Sequence, residues 1–174
     1  AVRGRRADPR RDGAPLMATA TLRPDATNYN SGWTVAVAAS AHTAVDDDPV
    51  DDTSYVQAAA GTWYLEFGIG ALTLPAYAQI KAVSVRVRRR GNSSATLDVA
   101  IGYRPSAGAA VKSLVLSAGE KPTSTTATKT YGSLVTAPGG AAWDNDVTIP
   151  NMIVTLGANN TNIRVHEIYV DVEY

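Results

Sequence analysis

The feature that most constrains this chain is strict alternation of apolar and polar residues on both sides of a short turn-forming cluster. Val83, Val85 and Val87 alternate with Ser84, Arg86 and Arg88; after Gly91-Asn92-Ser93-Ser94, Leu97, Val99, Ile101 and Tyr103 alternate with Thr96, Asp98, Ala100 and Gly102. A period of two means strands with one buried and one wet face. Two such runs around a turn cluster predict a β-hairpin. Its outer row would place Arg86 and Arg88 beside Asp98, an opposite-sign cross-strand arrangement.

The rest of the chain repeats the pattern in shorter pieces. Strand-like runs occur at Trp33–Val37, Tyr55–Gln57, Trp63–Ile69, Val111–Leu116, Val147–Ile149 and Met152–Leu156, separated by Gly, Pro, Asn and Asp clusters. No segment of a dozen residues carries a helical period. Ser40–Thr53 reads as a long polar loop. In the last segment, Ile163 and Val165 share one parity, while Ile168, Val170, Val172 and Tyr174 share the other. The phase breaks at His166-Glu167, which predicts a β-bulge there or a strand passing between sheets. About eight to ten short strands with one apolar face each imply an all-β, two-sheet β-sandwich, jelly-roll-like or Ig-like.

Charge divides the chain unevenly. Residues 1–16 hold Arg3, Arg5, Arg6, Arg10 and Arg11 against Asp8 and Asp12, a net +3, and the remaining residues carry −3. With Gly4, Pro9, Gly13 and Pro15 among its arginines, this leader cannot bury a core of its own. The expected organisation is an extended basic N-terminal arm over 1–17 and a sandwich domain over 18–174. An arm of this kind seeks another surface, and its five arginines are the candidate partner-contact residues. Phosphates are one such surface, but the arm has no interleaved aromatics and the body is acidic, so nucleic acid is not the expected partner. No apolar run approaches the roughly 20 residues of a membrane-spanning helix, so no membrane partner is expected either.

Candidate reaction chemistry is sparse. The two histidines are His42, in the polar loop, and His166, at the predicted bulge. Neither stands in a sequence pattern of an activated nucleophile, so both are expected to be structural or surface groups and no catalytic residue is assigned. No cofactor is expected. The one candidate metal site is the acidic run Asp46, Asp47, Asp48, Asp51 and Asp52, whose carboxylates suit Ca²⁺. The spacing lacks the glycine and terminal glutamate of an EF-hand loop. A solvated, self-repelling loop is the competing reading. Asp144 and Asp146 beside Trp143 resemble a sugar-binding patch, against a turn anchored by a buried tryptophan. Arg86, Arg88, Arg89 and Arg90 form a second basic row, which would also discourage edge pairing.

Several motifs together resemble a family. Leu22-Arg23-Pro24-Asp25, Gly32-Trp33-Thr34, Asp51-Asp52-Thr53-Ser54-Tyr55-Val56, Asn162-Ile163-Arg164-Val165 and Ile168 through Tyr174 are similar to small β-sandwich virion proteins of actinobacterial tailed phages. Those proteins are variously described as head decoration or minor tail proteins. The resemblance spans about residues 18–174. It implies a structural, non-enzymatic role in the virion and does not decide between head and tail; the Arg-rich arm, of a kind that orders only on a partner, favours the capsid surface over the tail. The implied partners are the major capsid protein and further copies of the chain, most often as a trimer. A minor tail or tail-tip protein is the alternative within that family. A carbohydrate-binding module using Trp63, Trp143 and nearby tyrosines is the alternative outside it.

Overall fold

The computed structural model describes residues 17–47, 52–59, 63–75 and 78–174. Among them run eleven strands: β1 (Thr19–Leu22), β2 (Pro24–Ser31), β3 (Trp33–Ala36), β4 (Tyr55–Ala58), β5 (Trp63–Ile69), β6 (Ala82–Arg90), β7 (Leu97–Tyr103), β8 (Lys112–Glu120), β9 (Ala127–Leu134), β10 (Met152–Ala158) and β11 (Arg164–Glu173). A single 3₁₀ turn spans His42–Ala44. The strands form two antiparallel sheets. One has the order β3-β4-β11-β6-β9, with β1 also on β11; the other has the order β2-β5-β10-β7-β8. The fold is a β-sandwich, as the alternation implied.

The connections define its type. β4 leads to β5, β6 to β7, β8 to β9 and β10 to β11, and each step crosses from one sheet to the other. The eight strands pair as β4-β11-β6-β9 against β5-β10-β7-β8, the double Greek key of a jelly roll.

This arrangement corrects the predicted hairpin. β6 and β7 are sequence neighbours but do not pair: β6 lies between β11 and β9, and β7 between β10 and β8. Their apolar rows meet as facing layers. Val83, Val85 and Val87 from one sheet and Leu97, Val99 and Ile101 from the other are all fully buried in the same core. A buried face can be satisfied by an opposing sheet as well as by sharing a face with a hairpin partner, and alternation alone does not distinguish these. The crossing is tight at Gly91, where a Cβ would stand 2.9 Å from Ile163 Cδ1 and 3.2 Å from Pro122 Cβ. The expected charge pairing fails with the hairpin. Asp98 accepts the Gly119 backbone N–H at 2.5 Å, far from Arg86 and Arg88 in the pairing scheme.

The bulge expected in the last strand is present. Pairing of β11 with β6 shifts register between Val165 and Glu167. The shift lets Val165 and the Ile168-Val170-Val172 row both face the core. Val147–Ile149, expected as a strand, is part of a turn ahead of β10.

The segment after β3 packs onto the body ahead of its acidic run, where Asp46 and Asp47 are half-buried and Asp52 is exposed. Ala41, Ala44 and Val45 are buried, and Val45 carbonyl oxygen accepts the Ile168 N–H at 3.0 Å. On this side of β11, β4 pairs its beginning and β1 its end. Val45 thus meets β11 between those two partners, and β11 is buried on both faces from Val165 to Val170.

Candidate functional site

The charged side chains gather mostly on the outer face of the β6–β11 sheet. Cross-strand register sets Glu167 opposite Arg88 and Tyr169 opposite Arg86. Arg86 reaches diagonally to Asp171, donating from Nε at 2.5 Å and from Nη2 at 2.8 Å. Thr21 of β1 donates to the same carboxylate at 2.7 Å. The guanidinium carbons of Arg23 and Arg86 lie 4.8 and 4.7 Å from the Tyr169 ring centroid, within cation–π range. Arg88 forms a bidentate pair with Asp52, at 2.7 and 2.6 Å. That hydrogen bonding, against a smaller opposing effect of burial, holds the Asp52 carboxyl below the ordinary range.

Beneath these pairs lie two buried titratable groups. Glu167 accepts the Tyr169 hydroxyl through Oε2, while its Oε1 has no hydrogen-bond partner. Burial raises the Glu167 carboxyl above its usual value, and burial with the Glu167 contact pushes Tyr169 up to about 12. His166 is 2% exposed, lies against Tyr55 at 5.4 Å between centroids, and makes no hydrogen bond through either ring nitrogen. Its Nδ1 is 3.8 Å from Asp52 Oδ1. Burial holds the imidazole below its usual value, against the pull of that carboxylate.

A second cluster joins the sheets along their β8–β9 side. Arg89 continues the inward parity of Val83, Val85 and Val87, so its guanidinium enters the sandwich instead of lining the outer row. It donates to Glu120 of β8 and, at 2.9 Å, to the Ala127 carbonyl of β9. Glu120 also accepts the Tyr131 hydroxyl and lies 3.0 Å from Lys129 Nζ. Burial opposes ionisation of Glu120, but hydrogen bonds from Tyr131, Arg89 and Lys129 together outweigh it and lower the carboxyl. The basic row read from sequence is therefore largely committed within the chain: Arg86, Arg88 and Arg89 each hold a carboxylate.

The other candidates divide. Arg3, Arg5, Arg6, Arg10 and Arg11 lie outside the described residues, as do Asp48 and Asp51. Of the remaining loop carboxylates, Asp47 accepts the Ser54 hydroxyl and Asp52 is held by Arg88, while Asp46 contributes its backbone carbonyl to Arg23 at 2.9 Å. No group of three or more metal-ligating side chains occurs among the described residues. Trp143 is buried and donates its indole N–H to the Leu134 carbonyl at 2.9 Å. Asp144 Oδ1 accepts the N–H groups of Asp146, Val147 and Thr148. Both are turn anchors, which removes the sugar-patch reading of these residues. The Trp63 side chain falls outside the described residues.

His42 sits in a hydroxyl network at the 3₁₀ turn. Its Nδ1 is 3.0 Å from Ser40 Oγ and 3.2 Å from Thr27 Oγ1. The Ser40 hydroxyl also meets Thr43 Oγ1 at 3.0 Å, and Thr43 caps the Ser40 N–H, so the group closes the 3₁₀ turn. Among the described contacts no carboxylate orients the imidazole as a nucleophile-activating base requires. The network binds the covering loop to β2.

Sequence reasoning missed a pair of exposed tyrosines on the opposite sheet, Tyr29 on β2 and Tyr64 on β5, which are 54% and 45% exposed. Their rings meet edge to face, with centroids 5.9 Å apart. Residues 24–31 carry no apolar–polar alternation in sequence, so nothing placed Tyr29 on a strand beside Tyr64.

No protein-family model matches the chain, and no curated protein matches it. Among solved structures, an Arthrobacter globiformis T6 isomalto-dextranase complexed with panose aligns at 11% identity with a TM-score of 0.38. The alignment covers 88% of this chain but 23% of that one. A likeness of this degree carries no argument about either fold or activity.

Proposed function

We propose that this chain is a structural virion protein, a capsid decoration protein whose sandwich lies on the outer capsid surface. In this reading residues 1–16 pair their arginines with acidic groups on neighbouring capsid subunits, and copies of the chain associate, as trimers, around the lattice. The observation that carries it is the root of the leader. Residues Thr19–Leu22 pair with Val170–Glu173 of β11, and Ala18 and Tyr174 exchange backbone hydrogen bonds at 3.0 and 2.9 Å. Thr21 ties the same ladder to the Arg86–Asp171 pair. A tether fixed there delivers its load along a strand whose centre is buried on both faces, the part of a sandwich least able to open locally. The opposite charges of leader and body also keep the leader's +3 available for a partner only when that partner is more acidic than the body itself.

Many copies on one particle gain from avidity, so a modest contact per copy suffices. The test is deletion of residues 1–16, with occupancy read by electron microscopy of purified particles and particle survival read on heating. Loss of occupancy is expected. Full occupancy with unchanged particle stability refutes the reading. The number of copies per particle separates a head location from a tail one, since hundreds would sit on a head and a few on a tail.

A further inference from the structure

The outer face of β2, β5 and β10 brings aromatic, charged and cleft-lining groups together on one surface. Along β5, Tyr64, Glu66 and Gly68 follow one another on this face, about 7 Å apart. Tyr29 lies across from Glu66, and Thr155 and Ile153 lie across from Glu66 and Gly68 on β10. Three kinds of group are therefore contiguous. At one end stands the half-exposed Tyr29–Tyr64 pair, with the Tyr64 hydroxyl steadied by Thr155 Oγ1 at 3.3 Å. In the middle Glu66, 5% exposed, accepts from Arg104 at 2.9 Å, while the Arg104 side chain stays 42% exposed.

At the other end is a cleft of about 270 Å³, bounded by Asp25, Asn28, Gly68, Arg104, Asn151 and Ile153. Gly68 leaves its floor open. A Cβ there would come within 3.4 Å of both Asp25 Oδ1 and Asn28 Oδ1. Two acceptor-bearing side chains thus converge on one point, and neither makes a side-chain hydrogen bond among the described residues.

We infer that this face binds a carbohydrate, with a sugar ring seated against the tyrosines and hydroxyls of the same or the next ring entering the cleft. The chemistry selects a neutral polyol. Exposed tyrosine rings offer a flat apolar face for the C–H side of a sugar while the hydroxyl stays hydrogen-bonded. Asp25 and Asn28 accept from hydroxyl donors, and Arg104 has N–H groups to spare after its bond to Glu66. Glu66 and Arg104 neutralise each other, which leaves the Asp25 carboxylate as the one unpaired charge of the site among the described residues, an acceptor that suits hydroxyl donors and disfavours an acidic sugar. A few convergent polar groups beside apolar surface is the general form of a small-ligand site.

The test uses the full chain and a panel of neutral tri- to hexasaccharides of glucose, galactose, mannose and N-acetylglucosamine. Binding is read by saturation-transfer NMR and quantified by calorimetry. At least one oligosaccharide is expected to bind, with transfer strongest at one ring. Tyr29→Ala should weaken it about three- to tenfold, the scale of one aromatic contact. Gly68→Ala, which narrows the cleft floor, should weaken it without unfolding the protein, as checked by circular dichroism. Absence of transfer from every member at millimolar concentration overturns the inference. So does binding that Tyr29→Ala and Asp25→Ala both leave unchanged, or preferential binding of a lysine-rich peptide that competes with any sugar. None of these variants touches residues 1–16, so failure here leaves the capsid reading standing.

Discussion

Replacing Glu120 by methionine removes the carboxylate that holds β8 to β6 and β9 while keeping nearly the same length and volume. Glu120 is 10% exposed at the side chain and Arg89 is 9% exposed, so the guanidinium would be left inside the sandwich with the Ala127 carbonyl and no counter-charge. Tyr131 would lose its acceptor as well. Breaking a buried ion pair from one side costs about 3–5 kcal/mol, since the penalty is the stranded charge. Lys129 is 45% exposed and simply returns to water, so it adds little. At about 2–4 °C per kcal/mol for a chain of this size, melting should fall by roughly 10 °C. Thermal and urea denaturation followed by tryptophan fluorescence measure this. The companion Arg89→Met, Glu120→Met double variant should recover most of the loss, because two apolar side chains leave no charge to bury. The wild-type advantage should also shrink in acid. The folded carboxyl lies below its unfolded value of about 4.5, so its stabilisation is complete above that pH and is lost as pH falls through the lower folded value. A single variant within about 1 kcal/mol of wild type, or a double variant no better than the single, refutes the reasoning.

Three further outcomes follow from the same structure. His166 is held below its ordinary value of 6.5, so the unfolded chain takes up a proton first; melting should drop as pH falls below about 6.5, and His166→Gln should flatten that limb. Gly102→Ala should lower stability by about 1–3 kcal/mol in urea titrations, because the added Cβ meets the Lys112 backbone oxygen at 2.6 Å, which no side-chain rotation relieves. A chelator should leave the melting temperature unchanged, because Asp52 is already held by Arg88 and Asp47 by Ser54; a drop of several degrees would restore the acidic loop as a calcium site.

The interior polar groups reveal how far a sequence can be read. Arg89 sits at an inward parity position, so the alternation beginning at Val83 already marks it as a buried cation, even though the row Arg86 to Arg90 reads most simply as exposed. Its acceptor could not be named in advance. Glu120 is 31 residues away, and Asp171, which holds Arg86, is 85 residues away. The Tyr29–Tyr64 face was less legible still, since it depends on two bulges in the pairing of β2 with β5.

What the amino-acid order determined by itself is which face of each strand is buried, because side-chain direction alternates with every residue and water sorts the two sides locally. It thereby set the all-β class, the two-layer packing and the break at His166-Glu167, where the alternation changes phase. Which strands become neighbours was decided only in three dimensions. The valines of β6 are equally buried beside β7 in a hairpin or opposite it in a sandwich, and closure of the whole jelly roll selects the second. The same closure set Val45 against β11, gave the outer arginines their carboxylates, and brought Tyr29, Tyr64 and the Asp25–Asn28 cleft onto one surface.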